Sequence, residues 1–485
     1  MILYLKNKYG NFFSNQEGDF SFKKWIVLIL LIKALLFVFY AIQFHLYPEV
    51  SVKHGLLYVV GGDTFTYYPP MINFLSGHDY GNACRMPGLF PLFGPLYFLT
   101  KNLEFSYNAV IIIQFIISTI SVYVLGLISH LLFKSNRVFV LTIVFYSLFY
   151  HIGDHFLLAD SIGNSTLIFA TYFFIKSIND DFNNRNFIFL SGLFFTWSIF
   201  ARVIVIVPFM VLGFFLLYYL IKKKQTILNK ASIILLFGLS FLVCESAWVI
   251  RNKISLNKTI LFTVPECYHS FSYNWLELNK IPTAWGCETT HWAGEIDWWL
   301  NKKSGASEFP YSTTVLTKSF NVDSLTKLKD EYHLLILKGE GLSSVSPDFK
   351  HKVDNYIAEY RSEHFLDYYI LHPLKLLYKF HYKKMIVDMP FPKLSQMNIV
   401  QKGIKFINWM ALLIISLLFL FIAPLALFVN RNYSYIIFLV IPFSISFFLS
   451  AIFGAIEQRY FWPIIPFAIV FFAYFLDVVL KKIKR

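Results

Sequence analysis

Apolar runs about the length of a bilayer constrain this chain more than any other feature. They occupy 25–46, 106–132, 138–153, 157–178, 187–201, 203–221, 231–250, 404–429, 434–452 and 460–479. About 20 apolar residues span a hydrocarbon core as a helix. In lipid only a helix or a closed barrel satisfies every backbone polar group. The runs 138–153 and 187–201 are short, and Arg202 breaks the fifth from the sixth. Composition points the same way: 15% of residues are charged and 20% aromatic, where soluble proteins carry about 25% charged residues. The expected fold class is an all-α polytopic membrane protein with about ten or more transmembrane helices and an extracytoplasmic mixed domain.

A net charge of +14 raises the question of nucleic acid, but the basic residues sit in short clusters. Lys23-Lys24, Lys134 to Arg137, Lys222 to Lys224 and Lys481 to Arg485 are the positive-inside mark of cytoplasmic loops. No nucleic-acid partner is expected; membrane lipids are. The run from Trp25 to Leu46 is too long for a signal-peptide core and lacks a small-residue cleavage site after it. It reads as an uncleaved first span, and an even number of spans leaves both termini cytoplasmic.

This topology divides the chain at 1–250, 251–403 and 404–485. The first part is a membrane module whose outer loop, 47–105, contains Asp63 and Arg85. Within that loop, Pro69 to Gly77 suits a short interfacial helix and Pro87 to Thr100 a second apolar one. The middle part is polar and rich in tryptophan (Trp275, Trp285, Trp292, Trp298 and Trp299) and suits an extracytoplasmic domain. Its stretch His291 to Asp297 reads as a packed aromatic turn. Phe365 to Met385, with Lys375, Lys379, Lys383 and Lys384, suits an amphipathic helix in the head-group plane. Of four cysteines, Cys244 reads as a small buried hydrophobe. Cys84, Cys267 and Cys287 fall on the outer side, with Cys267–Cys287 the favoured pair.

The same topology gathers ionisable residues at one membrane face. They are Asp63 and Arg85 in the first loop, Asp154, His155 and Asp160 at the next outer turn, Arg202 and Arg251 at later ones, and Glu457 with Arg459 before the last span. Charges at the edge of lipid are costly and mark function by default. Taken singly, each competes with a reading as a helix-end ion pair or a snorkelling arginine. His155 reads as a surface residue of its turn. As a set, they suit transfer of a sugar from a polyprenyl phosphate. A carboxylate would take the proton of an acceptor hydroxyl, arginines would hold the departing phosphate, and apolar walls would hold the lipid.

Four motifs carry a family resemblance. They are Gly62-Asp63-Thr64 with Arg85-Met86-Pro87-Gly88, then Trp248-Val249-Ile250-Arg251-Asn252, then Leu371-His372-Pro373, then Glu457-Gln458-Arg459-Tyr460 followed by Pro463. In this order the chain resembles the GT-C glycosyltransferases that use polyprenyl-phosphate sugars, and most closely the protein O-mannosyltransferase and aminoarabinose transferase superfamily. The resemblance covers about 25–479. It implies Asp63 as the catalytic base, Asp160 as a second acidic residue, and Arg85, Arg202, Arg251 and Arg459 on the lipid phosphate or substrate. Glu457 and Tyr460 would sit beside Arg459. It also implies an inverting single displacement without a covalent glycosyl-enzyme. The chain departs from the eukaryotic mannosyltransferases at Thr64, where they carry a second acidic residue.

Asp63, Asp160 and Glu457 could ligate a divalent cation through oxygen, although nothing in their spacing demands one. The expected partners are a polyprenyl-phosphate-linked sugar and a glycan, lipid or protein acceptor. The expected location is the inner membrane of a bacterium. Two rivals stand beside this reading. An O-antigen polymerase or ligase would not place an acidic residue just after the first span. A lipid-linked-sugar flippase would place its charges near the bilayer midplane in matched halves.

Overall fold

The structure, a computed structural model, describes residues 22–46, 53–61, 63–78, 80, 85–149, 152–257, 259–262, 273–287, 315–339, 345–383, 395, 397–429, 432–453 and 458–483. The helices are α1 (Phe22–Leu46), α2 (Thr64–Leu75), α3 (Phe90–Thr100), α4 (Leu103–Phe133), α5 (Asn136–Phe149), α6 (Asp160–Asn179), α7 (Arg185–Ala201), α8 (Ile206–Lys222) and α9 (Ile227–Leu256). Then come α10 (Tyr273–Leu278), α11 (Lys280–Ala284), α12 (Val322–Leu337), α13 (Pro347–Glu363), α14 (His372–Lys383), α15 (Ile399–Val429), α16 (Tyr433–Phe447), α17 (Gln458–Phe461) and α18 (Ile465–Ile483). A short antiparallel pair, β1 (Lys53–His54) and β2 (Val59–Val60), sets Lys53 opposite Val60.

Among the described residues six helices are long and apolar enough to cross a membrane: Lys24–Leu46, Leu103–Phe133, Val203–Lys222, Ile227–Leu256, Ile399–Leu425 and Tyr433–Ser450. Their ends are cut by local chemistry. Asn102, Asn184 and Thr226 each turn a side-chain oxygen onto a free amide at the start of α4, α7 and α9, which satisfies donors the helix cannot. The extended backbone at Arg202 ends α7, and the 3-10 turn Val203–Val205 leads into α8. The expected break at Arg202 is therefore present.

The chain divides into two compact units. One comprises 1–263, 385–444 and 462–485, the other 264–384 and 445–461. At the centre of the first lies α6, buried along nearly its whole length although it carries Ser161, Gly163, Asn164, Ser165, Ala170 and Ser177. Small side chains let neighbouring helices approach closely, and this is how helices associate where burial from water drives nothing. Hydroxyls of α7 bridge the helix pair: Ser191 donates to Ala170 O at 2.9 Å and Ser198 to Gly163 O at 2.7 Å.

In the second unit, Leu278, Ile281, Trp285, Leu325, Phe349 and Tyr356 form a compact core. Gly286 is required there: its φ is +71°, and a Cβ would lie 2.6 Å from the His372 ring. His372 Nδ1 in turn lies 2.8 Å from Ala284 O. Cys84, Cys267, Glu457, Trp292, Trp298, Trp299 and the His291 to Asp297 stretch lie outside the described residues, as does the side chain of Arg459. Cys244 corrects the expectation for it: the side chain is exposed on α9.

Candidate active site

The first loop is built onto the turn that precedes α6. Val59 N donates to His155 O at 2.8 Å and Leu157 N to Val59 O at 3.0 Å, so the two segments run side by side. Thr64 closes the arrangement. Its Oγ1 accepts from Gly61 N at 3.0 Å and donates to Leu157 O at 3.1 Å. Asp63, one residue earlier, caps α2 by position but makes no capping bond with its side chain. That carboxylate instead receives Arg85 Nη2 at 2.9 Å, with both side chains partly exposed. The Arg85 guanidinium also stands 5.6 Å from the centre of the Tyr67 ring, a cation–π placement.

A second pair lies deeper. Asp160, the first residue of α6, is ion-paired with Arg202 just beyond the end of α7, and both side chains are buried. The pairing follows from the packing. The N-terminus of α6 and the C-terminus of α7 lie together, and the helix dipoles favour an acid at the first and a base at the second.

One apolar core carries the residues beside these charges. Tyr58, Val60, Tyr67 and Tyr68 flank Asp63, Met86 and Leu89 follow Arg85, and Ala159 and Ile162 bracket Asp160. Ala201 precedes Arg202 and Trp248 precedes Arg251, and all belong to the same cluster. Gly88 shows how close the packing is. A Cβ there would stand 2.4 Å from Ala201 N and from the Phe200 carbonyl, and Trp197 Nε1 donates to Gly88 O at 2.9 Å. The Arg-x-Pro-Gly segment is thus laid directly on the end of α7.

Arg251 stands beside an apolar groove. Its guanidinium is 5.2 Å from both the Tyr80 and Trp248 rings, and its Nη1 donates to Asn252 Oδ1 at 2.8 Å. The groove, about 380 Å³, is walled by Phe74, Tyr80, Pro87, Phe90, Phe200, Cys244 and Trp248, with Arg251 the one charged residue among the described residues that line it. The chain after α9 folds back against it. Trp248 Nε1 donates to Phe262 O at 2.6 Å, Phe262 N to Glu245 Oε1 at 3.1 Å, and Asn252 Nδ2 to Ile260 O at 3.0 Å.

Two residues of the expected charged face behave differently. Asp154 is fully buried and paired with Lys33 of α1 at 2.9 Å. Its carboxylate also accepts from Ser118 at 3.1 Å and Ser161 at 2.5 Å. His155 is not a surface residue: it is buried, stacked 3.9 Å from Phe37, with Nδ1 3.1 Å from Leu57 O. Burial holds its pKa below the ordinary imidazole value, so it is neutral near pH 7. The correction has a plain cause: pairing of 59 with 155–157 pulls the turn inward against α1.

Sequence reasoning missed Lys33, Gln114 and Glu245. Lys33 carried a signal, since a lone lysine midway through an apolar span demands a partner. Gln114 Nε2 donates to Phe156 O at 3.2 Å and holds the same turn. The structure thus brings Asp63 to Arg85, Asp160 to Arg202, and the flanks of all four together with Trp248. Tyr460 of the second unit is half-buried. Among the described residues no three His, Cys, Asp or Glu side chains gather as a metal site.

No protein-family model matches the chain, and no curated protein matches it. Among solved structures it is similar to the crystal structure of ArnT from Cupriavidus metallidurans bound to undecaprenyl phosphate. The identity is 13% over 94% of this chain and 78% of that one, with a TM-score of 0.32.

Proposed function

We propose that this chain is an integral membrane glycosyltransferase of the GT-C kind. It would move a sugar from a polyprenyl phosphate to an acceptor hydroxyl on the extracytoplasmic face of a bacterial inner membrane. The observation that carries the reading is the convergence on one apolar core of two carboxylate–arginine pairs, Asp63–Arg85 and Asp160–Arg202, with Arg251 at the rim of an apolar groove. The order of the motifs along the chain supports it independently.

Each group then has a task. Asp63, the more exposed carboxylate, takes the proton from the acceptor hydroxyl as the oxygen attacks the anomeric carbon. The bond to the lipid phosphate breaks with inversion, and the phosphate leaves with its charge increased. Arg251 and Arg85 meet that charge; fixed donors aimed at developing charge are worth several kcal/mol of barrier. Arg85 has two acids to serve. Paired with Asp63 it steadies the carboxylate, and turned to the phosphate it releases it. Asp160 and Arg202, buried and mutually neutralised, fix the ends of α6 and α7 beneath the site. The acceptor would be a glycan, a lipid or a protein.

The test is reconstitution of the purified chain in vesicles with a polyprenyl-phosphate sugar and a panel of acceptors. The reading requires covalent glycosylation of an acceptor together with release of polyprenyl phosphate. Movement of intact lipid-linked sugar across the bilayer without transfer would replace the enzyme reading by a flippase.

A further inference from the structure

The helical stretch that follows α13 has two faces that fit different surroundings. One is turned to its own unit along a strict four-residue step: His364, Tyr368 and His372 are half-buried, and Leu376 and Phe380 are buried. His364 Nε2 lies 3.1 Å from Leu316 O, His372 Nδ1 2.8 Å from Ala284 O, and the Phe380 ring 5.3 Å from that of Phe461. The opposite face is a ridge of exposed apolar side chains. Phe365 and Leu366 are 58% and 64% exposed, Ile370 45%, Leu374 56% and Tyr378 51%.

Four-residue spacing cannot hold one line in a pure α-helix. Over 16 residues it drifts by roughly 160° at 3.6 residues per turn. The π-helical segment Asp367–Leu371 lies inside this stretch. Its wider turn takes up about one extra residue, or roughly 100° of that drift. Both the inward stripe and the apolar ridge therefore stay in line through the stretch. Contiguous apolar exposure on this scale is what monomeric soluble surfaces avoid.

Charge identifies the occupant. From Tyr368 to Val387 the sequence holds Lys375, Lys379, Lys383 and Lys384 and no acidic residue. On the four-residue step, Lys375 and Lys379 run in a row beside Leu374 and Tyr378. An apolar ridge flanked by lysines is the pattern of a helix lying in the interface of an anionic membrane. The lysine stems cover apolar surface while their ammonium groups reach phosphate. By contrast, the preceding α13 (Pro347–Glu363) presents Lys350, Asp354, Glu359 and Glu363. Continuity along the chain agrees, since a candidate span begins at Ile399.

We propose that residues 365–383 are a membrane-surface anchor of the second unit, with Leu366, Ile370, Leu374 and Tyr378 entering the acyl boundary and Lys375 and Lys379 selecting anionic head groups. The π turn keeps the two halves of the ridge in one plane. This does not rest on the glycosyltransferase reading.

The experiment uses the full chain with its four native cysteines replaced by alanine, reconstituted in phosphatidylcholine vesicles with or without phosphatidylglycerol. An environment-sensitive fluorophore is attached at Leu374→Cys, at Tyr378→Cys, or at Glu359→Cys on α13. The anchor predicts blue-shifted emission at 374 and 378, quenched by lipids carrying a nitroxide near the head group, and neither effect at 359. Lys375→Glu with Lys379→Glu should reduce quenching at 374 more in the vesicles with phosphatidylglycerol. Quenching at 374 by aqueous iodide but not by lipid nitroxide would overturn the anchor. So would a blue shift that vanishes when the protein is diluted among more vesicles, which would assign the ridge to a second copy of the chain. An equal effect of the lysine substitutions in both vesicle types would overturn the anionic selection.

Discussion

Replacing Lys33 by methionine should be among the most damaging single changes in the membrane module. Both partners of the Lys33–Asp154 pair have fully buried side chains. Methionine fills much of the lysine volume, so packing changes little, but the carboxylate loses its only ionic partner among its described contacts. Ser118 and Ser161 still donate to Asp154, and two hydroxyls do not neutralise a charge. Removing one partner of a buried pair costs about 3–5 kcal/mol, whereas replacing both by apolar residues is often neutral. Lys33→Met alone should therefore lose about 3–5 kcal/mol. Lys33→Met with Asp154→Leu should recover most of it, giving a coupling of about 3 kcal/mol between the two sites. Reversible unfolding in mixed detergent micelles, followed by tryptophan emission, gives all four corners of the cycle. The reasoning fails if the single variant stays within about 1 kcal/mol of the parent, or if the double variant is no more stable than the single.

Three further outcomes follow from named contacts. Gly88→Ala drives a methyl group into the Ala201 amide and the Phe200 carbonyl; transfer should fall at least tenfold while the helical circular dichroism is kept, and unchanged transfer would contradict the placement of the Arg85 loop. Arg251→Gln removes the charge that lines the groove among the described residues, so the half-saturating concentration of lipid donor should rise more than that of the acceptor; equal effects on both would remove Arg251 from the lipid phosphate. Burial holds His381 at about 3, while the unfolded imidazole titrates near about 6.5. The folded state is thus fully favoured above about pH 6.5 and loses up to about 1.4 kcal/mol per pH unit below it. His381→Leu should flatten this acid limb, and an unchanged acid limb would contradict the assignment.

Much of the helical framework was legible because bilayer-length apolar runs leave the backbone few alternatives. Each of the ten runs contains a helix, and the interruption at Arg202 falls where a charge and the end of α7 coincide. Within the third run the described part of α5 reaches Phe149, and a 3-10 turn holds Ile152–Asp154. The charges of the candidate site were legible one by one, but their pairings were not. Asp63 and Arg85 are 22 residues apart in the chain, and only the packing of Gly88 against α7 and of Thr64 against Leu157 decides which acid meets which base. His155 was misread because a histidine in a turn gives no sign that the turn is drawn inward by strand pairing. Nothing in the sequence marks Asp154, 121 residues further on, as the partner of Lys33. Cys244 was misread because a helix interior in sequence is not a buried face in space.

The central claim is that Asp63 removes the acceptor proton in a sugar transfer from a polyprenyl phosphate. It is tested most directly by single-turnover transfer of labelled sugar in vesicles, comparing the parent chain with Asp63→Asn at matched donor occupancy. A positioned general base contributes roughly 10²- to 10⁴-fold, so the variant should bind donor normally and transfer at least about a hundredfold more slowly. Transfer by Asp63→Asn within about threefold of the parent, far short of the loss a missing general base produces, would contradict the account.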